Sequence, residues 1–129
     1  MIFPDVKALA QGKNFAAFTT MLPSGQPMTH VMWVDADDAH MLINTEVGRQ
    51  KQVNVTKNPR VTVTVIDAAN PYHYAEVRGT VVEQVRGPRA RAHIDELSQK
   101  YTGHPYDPNA IKTERVLLVI DPVRQRVNG

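Results

Sequence analysis

The sequence predicts a mainly β protein with short helices, its strands closing into a small antiparallel barrel. Three observations predict it. Short segments rich in β-branched and aromatic residues recur along the chain, turn residues separate them, and only a few windows show helical spacing. A chain of 129 residues, 42% hydrophobic and 22% charged, makes one domain over 1–129 that is long enough to bury a real core.

Each element follows in order. "PDVKALAQ" (4–11) sets Pro4 in a first turn with Val6, Leu9 and Ala10 at helical spacing. "NFAAFTTM" (14–21) and "PMTHVMWVD" (27–35) flank the turn "LPSGQ" and read as a hairpin. After the polar turn "DADD", "AHMLINT" (39–45) is a third strand. "EVGRQKQVNVTKN" leaves room for about three helical turns, ended by Asn58-Pro59, because a residue before proline is driven out of the α region. "RVTVTVID" (60–67) and "YHYAEVRGTVVEQV" (72–85) alternate two unlike faces. On the second, His73, Ala75, Val77, Gly79 and Val81 belong to the barrel, while Tyr72, Tyr74, Glu76, Arg78 and Thr80 look toward something half polar. "GPRARAHIDELSQKY" (87–101) is helical through Ala92, Ile94, Leu97 and Tyr101, and "ERVLLVID" (114–121) is a closing core strand. About six strands result.

Composition removes several classes of function. Without cysteine there is no disulfide, thiolate metal site or cysteine nucleophile, and a reducing, cytoplasmic compartment is expected. No run approaches a membrane span, and "MIFPDVKALAQG" has neither a basic leader nor an apolar signal core. The five histidines share no metal-ligand spacing, so no metal site is expected, and His30 reads as a strand histidine before a pocket residue. A formal charge of +2 without Lys/Arg blocks, and without interleaved aromatics on one strand face, argues against nucleic acid.

The helix opening at "GRQK" breaks local rules. Gly48, Val53, Val55 and Thr56 are weak helix formers, and Arg49 and Lys51 stand at the positive end of the helix dipole. An anion docked there would be held by backbone N–H groups, the dipole and two converging cations, as phosphate commonly is. Spacing alone leaves this open against two solvated surface charges.

In "TTMLPSGQPMTHVMWVD", "LINTEVGRQKQVNVTKNPRVTVTVID", "NPYHYAEVRGTVVE" and "ERVLLVI", taken in that order, the chain resembles the pyridoxamine 5'-phosphate oxidase-like split-barrel family. Within it, the resemblance is to the flavin/deazaflavin-dependent branch that uses coenzyme F-420. It covers nearly the whole chain, and its most specific part is Gly-Arg-x-Lys-x-x-Asn at 48–54 followed by Asn58-Pro59-Arg60-Val61. What it implies is a six-stranded antiparallel split β-barrel and a homodimer with the cofactor in a groove between subunits. By the same resemblance Arg49 and Lys51 match phosphate-binding positions, Asn44 and Thr45 the strand end beside the ring, and Val31, Met32 and Trp33 the pocket wall. Tyr72 and Tyr74 match the edge contributed by the partner subunit.

The function so implied is hydride transfer between reduced F-420 and a small unsaturated or conjugated substrate. Its rivals are an FMN-dependent oxidoreductase of the same fold and a non-catalytic cofactor-binding protein. The tail "DPVRQRVNG" lacks the histidine expected of a true pyridoxamine phosphate oxidase. Lys57, Arg60, Arg78 and Arg124 are candidate contacts for the acidic tail of F-420. No residue is singled out as catalytic, since Tyr72, Tyr74 and solvent are equal candidates for the proton donor.

Overall fold

Alternation of valine with threonine, and of small apolar with charged residues, gives this chain strands with one face fit for a core. In the computed structural model, which describes residues 1–129, these become β1 (Phe15–Met21), β2 (Pro27–Met32), β3 (Asp35–Ala36), β4 (Met41–Glu46), β5 (Arg60–Ile66), β6 (Tyr74–Val85) and β7 (Arg115–Asn128). Three helices accompany them: α1 (Pro4–Gln11), α2 (Gln50–Lys57) and α3 (Pro88–Thr102). All pairings are antiparallel, in the order β2-β1-β5-β6-β7-β4-β3, and the curled sheet is a split barrel.

The inward faces supply the core: Ala16 and Phe18 of β1, Val61, Val63 and Val65 of β5, Ala75, Val77 and Val81 of β6, Met41 and Ile43 of β4, and Val116, Leu118 and Ile120 of β7. Helix α1 adds Val6, Leu9 and Ala10, the three positions its spacing selects. Helix α3 lies on the opposite face of β4 and β7, where Ala90 meets Leu42, Leu117 and Val119. With core on one side and α3 on the other, every residue of β4 is buried. No helix is long and apolar enough to cross a membrane.

Several boundaries differ from expectation, β6 beginning at Tyr74 instead of Tyr72 among them, and two have a reason in strand pairing. The chain leaves β2 after Met32 and re-pairs as the two-residue β3 against Met41 and Leu42, which makes seven strands instead of six. Strand β7 runs seven residues past Asp121 because Arg124 to Asn128 pair with Tyr74 to Arg78, a polar segment stabilised by its ladder instead of by burial. Near the register shift at Arg78/Gly79, Pro122 lies opposite Gly79. A Cβ at Gly79 would stand 2.4 Å from the carbonyl oxygen of Asp121, so only glycine permits this approach.

Helix α2 is shorter than its window allows, eight residues, and tertiary contacts hold it despite its propensity. Val55 enters the core, Asn54 Nδ2 donates to Thr20 Oγ1 (3.0 Å), and Gln52 Nε2 donates to Gln84 Oε1 (3.1 Å). Gly48, at φ +94°, turns the chain out of the β4 end and into this helix.

Candidate functional site

The sheet curls until its β2 edge faces the end of β4, and the gap between them is a cleft of about 490 Å³. His30, Val31, Met32 and Trp33 form one wall, Asn44 and Thr45 the other, and Arg49, Lys51 and Arg115 gather at one end with Ile94 and Tyr106 nearby. Seven of the nine residues singled out from the sequence therefore meet here, namely Val31, Met32, Trp33, Asn44, Thr45, Arg49 and Lys51. Tyr72 and Tyr74 do not line this cleft. Tyr72 is 79% exposed in the turn before β6, and Tyr74 opens that strand opposite Ile66 and Asn128.

The cations are set by their elements. Arg49 is the N-cap of α2, in extended conformation, and its side chain forms no cap hydrogen bond. Lys51 follows in the first turn, and Arg115 stands opposite Glu46 across the β4–β7 ladder. Lys51 is only 7% exposed and has no hydrogen-bond or ion-pair partner in the chain. Burial first, and then the neighbouring charges of Arg49 and Arg115, hold its ammonium below the ordinary lysine value. A cation so placed would be favoured by an anion in the cleft.

Arg115 is firmly held. Its Nε donates to Asn44 Oδ1 (2.9 Å), Nη1 lies 3.5 Å from Glu46 Oε2, and the guanidinium sits 5.2 Å from the Tyr106 ring centre. Asn44 is in turn committed: Nδ2 donates to the Ala90 carbonyl (3.0 Å) and to His93 Nδ1 (3.2 Å), and His93 Nε2 reaches Asp35 Oδ2 (3.1 Å). Both amide hydrogens of Asn44 are thus used inside the protein, so its side chain offers a ligand only a remaining lone pair of Oδ1.

Aromatic residues stand beside the cations, with Tyr106 between Arg115 and Trp33. Trp33 stacks on Tyr101 at 5.0 Å with 4° between planes and meets Tyr106 edge-on at 6.3 Å. The Tyr101 hydroxyl donates to the Asn14 carbonyl and accepts from Val34 N–H, which locks the stack from behind. The arrangement suits a ligand with a flat ring and an anionic end. Arg115, Tyr106, Ile94 and His30 complete it; the first three were not selected from the sequence, and His30, which reads first as a strand histidine, lines the cleft from β2. Arg115 had one readable signal, an arginine heading a strand otherwise apolar enough to be buried, which demands a partner.

A second cavity, of about 440 Å³, lies on the outward face of β1, β5, β6 and β7, where Arg60, Arg78 and Arg124 gather beside Thr19, Thr62 and Thr80. Three of the four cations considered for an acidic cofactor tail are therefore together, but in a cavity separate from that of Arg49 and Lys51.

Comparison with known proteins agrees with the split-barrel fold. The family model for pyridoxamine 5'-phosphate oxidase matches residues 2–128. A solved F-420 reductase is 32% identical with a TM-score of 0.84, covering 97% of this chain and 98% of its own. A conserved hypothetical protein of Mycobacterium tuberculosis shares 24% identity at TM-score 0.78, covering 99% of this chain and 84% of its own. An FMN-binding protein of Nostoc punctiforme related to pyridoxamine 5'-phosphate oxidase, 18% identical at TM-score 0.66, covers 88% of this chain and 72% of its own and shows the fold alone. No curated protein sequence matches the chain.

Proposed function

The chain belongs to the pyridoxamine 5'-phosphate oxidase family, and from that premise we propose that it is an oxidoreductase using the deazaflavin coenzyme F-420 on a small unsaturated or conjugated substrate. The observation that carries this reading is Lys51, a cation without an ion-pair partner whose side chain is nearly buried beside Arg49 and Arg115, in a cleft that Trp33 and Tyr106 also line. The residues fit such a cofactor: Arg49, Lys51 and Arg115 would hold its phosphate, and Trp33 with Val31 and Met32 its ring. Preference for F-420 over FMN is supported by the F-420 reductase at 32% identity.

When bound, the cofactor supplies the hydride. The protein's part is to bind, orient and keep water out. The uncapped start of α2 adds its dipole to the cations. Val31, 73% exposed on β2, and the open aspect of the cleft leave one side of the ring uncovered within a single subunit. The cover is a second copy of the chain, with Tyr72 and Tyr74 of each subunit closing the groove of the other. The protein is then a homodimer with a shared site.

Titration of the purified protein with F-420 and FMN, together with mass spectrometry of whatever ligand co-purifies, tests this. Tighter binding of F-420, weakened by salt because charge pairs are screened within about 10 Å at 0.1 M, is the expected result. Equal or tighter FMN binding, with turnover on FMN, refutes the choice of cofactor and leaves an FMN oxidoreductase.

A further inference from the structure

Glu46 ends β4 and is 2% exposed, yet it makes more polar contacts than any residue that lines the cleft. Its Oε1 accepts from Lys112 N–H (2.7 Å), Thr113 N–H (2.8 Å) and the Thr113 hydroxyl (3.3 Å). Its Oε2 faces Arg49 Nη2 at 3.3 Å and Arg115 Nη1 at 3.5 Å. Burial disfavours its ionisation, but the amides of Thr113 and Lys112 and the charges of Arg49 and Arg115 prevail and hold its carboxyl below the ordinary glutamate value. One side of this buried anion thus grips the segment between α3 and β7, and the other grips two of the three cleft cations.

We propose that Glu46 is a positioning residue for the ligand's anionic group: it touches no ligand, and it sets Arg49, Arg115 and the segment bearing Tyr106 in place before the ligand arrives. The proposal rests on the phosphate reading of the cleft. The segment is also tied at its start, where Tyr106 N–H donates to Asp95 Oδ1 (2.9 Å), so Tyr106 is presented to Arg115 and Trp33 from two anchored ends. Arginine loses much rotamer freedom when it binds, and a carboxylate that has already immobilised two guanidinium groups removes that cost from the binding step.

Positioning and bare electrostatics predict opposite signs, which makes the inference testable. Counting charge alone, Glu46 competes with the ligand for both guanidinium groups, and Glu46→Gln tightens anion binding. If Glu46 positions them, the same change weakens it, because the glutamine Oε1 still accepts from Lys112 and Thr113 while its NH₂ repels the arginines.

The probes are F-420 and its deazariboflavin core, which lacks the phosphate. Glu46→Gln is expected to weaken F-420 binding about tenfold, the loss of roughly one charge-assisted contact, and to leave binding of the core within about twofold. Glu46→Asp, which keeps the charge and withdraws the reach, is expected to behave alike, and it carries the test should the glutamine variant not fold. In an Arg49→Gln background the effect of Glu46→Gln is expected to shrink, since Glu46 then has one guanidinium fewer to act through. A phosphate-dependent preference that survived both Glu46 variants, or F-420 binding tightened by Glu46→Gln, would overturn the positioning role alone. Wild-type protein that held the core as tightly as F-420 would overturn the phosphate reading and the positioning role with it.

Discussion

Replacing Lys51 by methionine is expected to stabilise the empty protein and to cripple it as a cofactor binder. The side chain is 7% exposed, unpartnered, and pressed by two like charges, and burial is the largest cause holding its ammonium below the ordinary value. Methionine keeps the length and apolar stem while removing the charge. Stabilising changes of this class are worth about 1 kcal/mol, or roughly 4 °C in Tm for a chain of this size. A charged hydrogen bond to phosphate contributes about 1.5–3 kcal/mol, so affinity for F-420 should fall roughly 10- to 150-fold. Thermal unfolding of the ligand-free protein reads the first effect, and calorimetric titration with F-420 reads the second. A variant that melted lower and bound the cofactor unchanged would refute the reasoning, since Lys51 would then be a structural cation.

The other expectations concern stability, acidity and assembly. Gly79→Ala forces a Cβ to within 2.4 Å of the Asp121 carbonyl oxygen, an overpacking cost of about 1–3 kcal/mol that a denaturant melt will show as a lower midpoint with unchanged slope. Asp35 is held below the ordinary aspartate value, burial working against the bonds from His93 and Ala36 that prevail, and Glu46 is lowered likewise. Both therefore contribute stability that is present above the unfolded carboxylate values of about 4 and is lost as pH falls below them, which melting curves between pH 7 and 3 will follow. Lys51 and Lys100 are lowered by burial, so the unfolded chain binds more protons just below the ordinary lysine value of about 10.4. Stability from this source rises with pH there, and Lys51→Met should flatten the rise. Tyr74→Glu is expected to separate the proposed dimer and lose the cofactor together, and analytical ultracentrifugation showing a monomer that still binds F-420 would contradict the shared site.

Periodicity exposed the fold where burial and strand pairing coincide. Val61, Val63 and Val65 announce a core face because their partners across the ladder, Gly79, Val77 and Ala75, are also inward and small or apolar. The polar half of β7 gave no such signal, because Arg124 and Arg126 are exposed and their strand conformation comes from pairing with Arg78 and Glu76. Helix α2 was visible at both ends, through its opening at "GRQK" and its proline stop at Asn58-Pro59, although Arg49 stands in extended conformation where a polar cap is usual.

The same division explains the site. Arg49 and Lys51 were legible because they violate the dipole rule within four residues of sequence, so the anomaly is local. Arg115 lies 66 positions from Arg49, and it joins the cleft only because β4 pairs with β7 and sets it across from Glu46. Its charge would be costly on a strand buried on both faces were Glu46 and Asn44 not there to receive it. A pattern that reads one element at a time cannot see such a debt, whereas a ladder register makes it obligatory: a buried arginine heading one strand requires a carboxylate or amide on its neighbour. Glu46 followed by "VGRQK" contained that answer in the sequence, as an acid just before a cationic turn, and the i,i+3 pairing of Glu46 with Arg49 is its local trace. The proposed anion site is therefore built on a buried anion, which holds Arg49 and Arg115 where a ligand would meet them.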